Sequence, residues 1–157
     1  MEQFYILDKL EVKIEMETVF HLIDCHKDSP VYDTMVEEYQ SIIDEVTSLA
    51  KPTGIFGFST LTKETATKEY PSGTKVIYSV VSVGDEISKR STKAFSEGEY
   101  VRGMLYDAMA DSALFSLESS LMEALKTACK EHGTGIKKRL EAPQDIPMTV
   151  QKSAWRY

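Results

Sequence analysis

Leu10, Val12, Ile14 and Met16 alternate with Glu11, Lys13, Glu15 and Glu17, a period of two that predicts a strand with one face in water. At Glu17 the period changes. Residues Glu17 to Ile23, ETVFHLI, predict a short helix closed by the polar turn DCHKDSP. Ser29 before Pro30 forms an N-cap and first-turn pair, and Met35, Val36, Tyr39, Ile42, Ile43, Val46 and Leu49 then recur at helical spacing until Pro52 stops them. The run IFGFSTLTKETATKEY is β-prone, with Gly57 marking a bulge or a close backbone approach, and Pro71 to Gly73 predicts a turn. Residues 75–84, KVIYSVVSVG, carry the strongest strand signal of the chain. Their almost unbroken β-branched run fits burial on both faces and therefore a central place in a sheet.

Ser82-Val83-Gly84-Asp85 closes that strand, and the pattern turns helical through Ile87, Ala94 and Phe95. Strand, glycine and helix in this order can form an anion site, because free N–H groups point out of a helix start. No Walker or dinucleotide glycine spacing accompanies it, and Asp85 is placed to cap the helix instead. From about Glu99 to Lys130 the helical period runs unbroken, with Val101, Met104, Leu105, Ala108, Met109, Ala113, Leu117, Leu121, Leu125 and Ala128 in one apolar stripe. Such a helix is on the order of 45 Å long, and Gly133 is placed to end it. The small residues Gly103, Ala108, Ala110, Ser112 and Ala113 in its first half admit a close neighbour, most often a packed strand. Beyond Gly133, GIKKRL predicts a further strand. The expected fold is α+β: a single domain over residues 1–157, with a twisted, largely antiparallel sheet packed by two amphipathic helices, one near Pro30 to Ala50 and the long one near Glu99 to Lys130.

Composition narrows the function classes. The 157 residues are 42% hydrophobic and 27% charged, the profile of one soluble domain with a real core. A net charge of -7 repels nucleic-acid phosphates and anionic membrane, so neither is an expected partner. No apolar run reaches membrane-spanning length, and MEQFYILDKL has neither a cationic start nor a continuous apolar stretch. Neither anchor nor signal peptide is expected, and a cytoplasmic location follows. Cys25 and Cys129 fit a reducing compartment.

Candidate chemistry is sparse. Cys25-His26 and Cys129-x-x-His132 bring two metal-ligand types together, but adjacent side chains diverge, and zinc sequences space their ligands two to four residues apart. No metal site is expected. With His21, His26 and His132 the only histidines, and no serine or cysteine in a nucleophile elbow, a triad hydrolase is not predicted. Asp107 and Asp111 lie four apart and share a helix face. Two carboxylates there bind a cation or an ammonium group, or are simply solvated. A small-molecule enzyme using Asp107 and Asp111 is a further possibility, and it requires a concave pocket at that turn of the helix. Lys137, Lys138 and Arg139 form the one compact basic run. A solvated segment is the plain reading, but the planar fork of Arg139 suits a carboxylate.

The order of these elements, and the block from Lys75 to Leu121, resembles the activation (reactivation) domain of cobalamin-dependent methionine synthase, especially its small stand-alone bacterial relatives. In that family a strand ends in a Thr-or-Ser-x-Gly turn, and a long helix carries Asp-Ala-aliphatic-small. Here those positions read Ser82-Val83-Gly84 and Asp107-Ala108-Met109-Ala110. KPTGIFGFSTL stands where the relatives have a proline-led strand, and Asp145-Ile146-Pro147-Met148-Thr149-Val150-Gln151 is similar to their Asp-x-Pro-aliphatic-x-x-Gln segment. The likeness runs from about Leu10 onward. Longer relatives continue past Trp155-Arg156-Tyr157, so the resemblance implies a chain without their closing segment.

The resemblance implies an S-adenosylmethionine-binding accessory protein that serves the reductive reactivation of a corrinoid protein by methyl transfer to cobalamin. Cobalamin comes only through the partner, a corrinoid protein or the cobalamin domain of a methionine synthase, with a flavodoxin- or ferredoxin-type electron donor. No catalytic side chain is required, since the cofactor carries the chemistry. The family's arginine aligns with Arg139 and its loop proline with Pro143, but RLEAPQDIP is one residue shorter and lacks the family's Gly-Tyr pair. Its glutamate falls on Phe115, with Asp111 and Glu118 standing one turn to either side as substitutes. The expected cofactor-binding set is thus Arg139, Pro143, Asp107, Asp111, Gly84 and Glu118. The alternative is a binding or assembly module that keeps the scaffold and has lost the ligand.

Overall fold

A computed structural model describes residues 4–154. In chain order its elements are β1 (Phe4–Leu7), α1 (Met16–Leu22), α2 (Tyr32–Leu49), β2 (Thr53–Thr60), β3 (Lys75–Ser82), α3 (Glu86–Ser96), α4 (Tyr100–Glu131) and α5 (Met148–Ala154). The fold is α+β, with one three-stranded antiparallel sheet in the order β1-β2-β3 and one long helix. The described chain divides into two compact units, one of Leu7–Gly54 and Val81–Leu121, the other of residues 4–6, Ile55–Val80 and residues 122–154.

In the first unit, Val19, Ile42, Val46, Ile87, Leu105, Met109 and Leu117 form the centre of the apolar cluster, each at most 2% exposed. The segment before α1 corrects the sequence reading. Residues 10–16 do alternate between half-buried and exposed, but they form no strand. The backbone N–H groups of Lys13 and Glu15 donate to the hydroxyls of Ser116 and Ser112 on α4, both at 3.0 Å, and the Ile14 carbonyl accepts from the Tyr39 hydroxyl at 3.1 Å. Two extended residues advance about 6.7 Å, close to the ~6 Å between helix positions four apart. Alternate amides therefore meet successive turns of α4, and a helix serves the segment where a strand was expected.

Other expectations shift as well. Ser29 does not cap α2: its hydroxyl accepts from Val31 and its carbonyl from Tyr32, a local turn that delays the helix to Tyr32. Asp85 stands at the N-cap of α3 but makes no capping bond, because its carboxylate pairs with Lys89 at 2.9 Å. The β-branched run of β3 lies at the edge of the sheet, and its residues are half-buried or exposed. Such residues fit a pleated surface wherever it lies; β2 holds the central position and buries Phe56. Val101 and Met104 of the expected core stripe are 44% and 42% exposed.

In the second unit, Tyr5 stacks on Phe56 with ring centroids 4.6 Å apart, and Phe58 meets both rings edge-on. The His132 ring lies 4.5 Å from Phe58, and its Nε2 is 2.9 Å from the Tyr5 hydroxyl. Gly133 ends α4 as expected. At φ +61° it donates to the Lys130 carbonyl, and Thr134 donates to that of Cys129, the paired bonds of a Schellman motif. GIKKRL is exposed chain, not a strand: its amides find no strand to pair with among the described residues, so β-propensity alone leaves it irregular.

Candidate functional site

The end of β3, the turn after it and the middle of α4 enclose a pocket of about 400 Å³, open to solvent. Its lining comes from Val81, Ser82, Val83 and Gly84 on one side, Ser88 on α3, and Asp107, Ala110, Asp111 and Leu114 on α4. Every one of these residues belongs to the first unit.

Backbone geometry shapes the turn. Gly84 has φ +79°, a conformation that side chains disfavour, and a Cβ there would come within 3.1 Å of Lys51 Cβ. The Lys51 amide in turn donates to the Val83 carbonyl at 2.8 Å, and the Gly84 N–H donates to the Ser82 hydroxyl at 3.0 Å. Glycine is therefore needed both for its conformation and for the closeness of residue 51.

On the opposite wall, α4 is positioned by charged groups on its other side. Arg102 donates to Glu38 at 3.0 Å, the Tyr106 hydroxyl donates to Glu45 at 2.8 Å, and Arg90 of α3 reaches the same Glu45 at 3.1 Å. These contacts fix α3 and α4 against α2. Sequence reasoning missed them, although Glu38 and Glu45 seven apart and Arg102 and Tyr106 four apart are matching helical spacings.

Asp107 and Asp111 have no ion-pair partner among the described residues. Partial burial, and then the negative charge of Asp107, push the Asp111 carboxyl above its ordinary range. Both effects disfavour a second negative charge at the wall, and a cation placed there relieves them. With no histidine, cysteine or lysine in the lining, the pocket holds no amine, thiol or imidazole for covalent chemistry. What it offers is a cation-seeking wall, two serine hydroxyls and a small apolar surface.

Three of the six expected residues, Gly84, Asp107 and Asp111, thus meet at one pocket, and the concave site required beside the two aspartates is present. Glu118, half-buried one turn beyond Phe115, does not line it. Arg139 and Pro143 lie in the other unit. There the Arg139 guanidinium pairs with Glu141, and the Ala142–Pro143 peptide is cis. The loop closes on itself: the Glu141 N–H donates to the Asp145 carboxylate at 3.0 Å, while the Asp145 N–H donates to the Glu141 carbonyl at 2.7 Å.

Ser88 and Leu114 were not singled out from the sequence; Ser82 was signalled by the turn motif it begins. Cys129 is 2% exposed and unpaired with another cysteine, and no group of three metal-ligating side chains occurs among the described residues. No described helix is long and apolar enough to cross a membrane. No family model matches the chain, and no curated protein matches it.

Proposed function

We propose that the protein holds a small cationic metabolite in this pocket, S-adenosylmethionine being the ligand its sequence resemblance favours, and acts as an accessory module of the methionine synthase activation type. The observation that supports this reading is a coincidence of place. Two of the four segments behind the resemblance, Ser82-Val83-Gly84 and Asp107-Ala108-Met109-Ala110, are separated in sequence yet contribute to the same pocket. Its volume lies within the range of small-molecule sites.

The residues present fit the cationic end of such a ligand. Asp107 and Asp111 receive an ammonium or sulfonium group, and Val81 and Leu114 cover apolar atoms. The ligand carboxylate meets no lining cation, so its recognition falls to the first N–H groups of α3, which the Asp85 side chain leaves uncapped. When bound, S-adenosylmethionine supplies the methyl group for a corrin held by the partner protein, and electrons come from a flavodoxin- or ferredoxin-type donor. The chain itself binds and orients.

Titration calorimetry with S-adenosylmethionine, paired with thermal unfolding, tests this. Heat and a rise in melting temperature at millimolar ligand are expected, with affinity about tenfold lower in Asp111→Asn. Arg139→Ala in the same titration tests the carboxylate role that the resemblance assigns to that residue. Absence of both heat and stabilisation rejects the ligand. The absence of a cation in the lining favours a second reading, an assembly module on the same scaffold without the metabolite, and that reading then stands.

A further inference from the structure

The outer face of α4 carries more apolar surface than an ordinary solvated helix. Tyr100, Met104 and Phe115 are 65%, 42% and 50% exposed. Together with Asp107 and Asp111 they recur at intervals of four, three, four and four residues, a single stripe along the helix. The stripe is on the order of 22 Å long, about four turns. Its only charges are the two aspartates, which lack ion-pair partners among the described residues, while Arg102, the nearest cation in sequence, is taken by Glu38.

We propose that this stripe is the docking face for a cationic amphipathic helix of a partner protein. The partner sets apolar side chains on Met104 and Phe115, and a lysine or arginine between them over Asp107 and Asp111. A four-turn ridge matches another helix in length and shape. Charge complementarity selects the sign: a cation here pairs with two unpartnered carboxylates and removes their mutual repulsion.

A second copy fits less well. A twofold contact through this stripe brings Asp107 and Asp111 against the same residues of the other copy. An anionic lipid surface meets the same repulsion. The proposal shares Asp107 and Asp111 with the metabolite reading and goes beyond it through Tyr100, Met104 and Phe115, which line no part of the pocket.

Fluorescence anisotropy with a labelled 18-residue leucine–lysine peptide, its leucines at helical spacing, tests the proposal on the full chain. Binding on the order of 10 μM is expected, with none for the leucine–glutamate counterpart. Met104→Ser with Phe115→Ser weakens it about tenfold or more. Asp107→Asn with Asp111→Asn weakens it similarly and flattens its salt dependence. All four positions are exposed, so unchanged circular dichroism and only small shifts in melting accompany these losses. S-adenosylmethionine titration of the Met104/Phe115 variant gives the wild-type result, whichever it is, which separates this proposal from the metabolite reading. The proposal is overturned if the serine variant binds the leucine–lysine peptide as wild type does, or if neither peptide binds. It is equally overturned if sedimentation shows a dimer that Phe115→Ser dissociates, or if phosphatidylserine vesicles bind and the peptide does not.

Discussion

The two faces of α4 differ in what selects their residues. Inward, Leu105, Met109, Ala113 and Leu117 are fully buried, and any change in their volume is felt by close-packed neighbours. Outward, Met104, Asp107, Asp111 and Phe115 stand in solvent on the same turns, where packing asks for nothing in particular. Two apolar residues and two unpaired acids on that side are unexplained by folding, whereas the inward residues are fully explained by it. Apolar character alone therefore separates neither face from the other, nor stability from function.

The contrast is broken most severely by comparing Leu117→Ala with Phe115→Ala, two residues apart. Leu117 is wholly enclosed, so truncation loses transfer free energy and leaves a cavity, about 2–5 kcal/mol. Phe115→Ala removes a ring that is half in water and is expected to cost about 0.5 kcal/mol or less. Urea unfolding followed by circular dichroism measures both. Similar losses would mean that the outer face is held by packing after all, and would remove the ground for a docking role.

Between the two faces lies the serine edge that holds the segment before α1. Ser112→Ala leaves the Glu15 N–H without its acceptor in a part-buried place, at a cost of about 1–2 kcal/mol. Ser116→Ala frees the more exposed Lys13 N–H to water, so a smaller loss is expected in the same urea series. Equal, negligible losses would show that the segment is retained by Leu10, Val12 and Ile14 alone.

That segment also shows how far the sequence carries the fold. Its alternation was legible, as were α2, the long helix and its end at Gly133, because each is written in local spacing or in one residue's conformational preference. The partner of an alternating segment is not local. Leu10 to Met16 found a helix where a strand was expected, and the β-branched run of β3 took an edge position, since propensity reports a fitting surface and not an address. The candidate site followed the same division. Gly84, Asp107 and Asp111 were found because a turn and a helix face place them, and Ser88 and Leu114 were missed because only the meeting of separate elements brings them to the pocket.

The smallest effect is expected at Asp111, and its sign is opposite to that of the inner face. Burial and the charge of Asp107 raise the carboxyl's pKa in the folded chain, so the folded chain holds that proton to higher pH than the unfolded chain does. The contribution to stability is present below the ordinary aspartate range and is lost as pH rises through the raised value. At neutral pH the ionised carboxylate is therefore a small cost. Asp111→Asn removes it, and the variant should be more stable at pH 7 by about 0.5 kcal/mol or less, given the exposure of the site. Urea midpoints at pH 7 and pH 4 check this: the advantage should shrink toward the acid side. A variant less stable than wild type at pH 7, by the same margin at both pH values, would mean that Asp111 is held by a favourable contact within the fold. The outer face would then be explained by stability, as the inner one is, and the reason for assigning it a cationic ligand or partner would disappear.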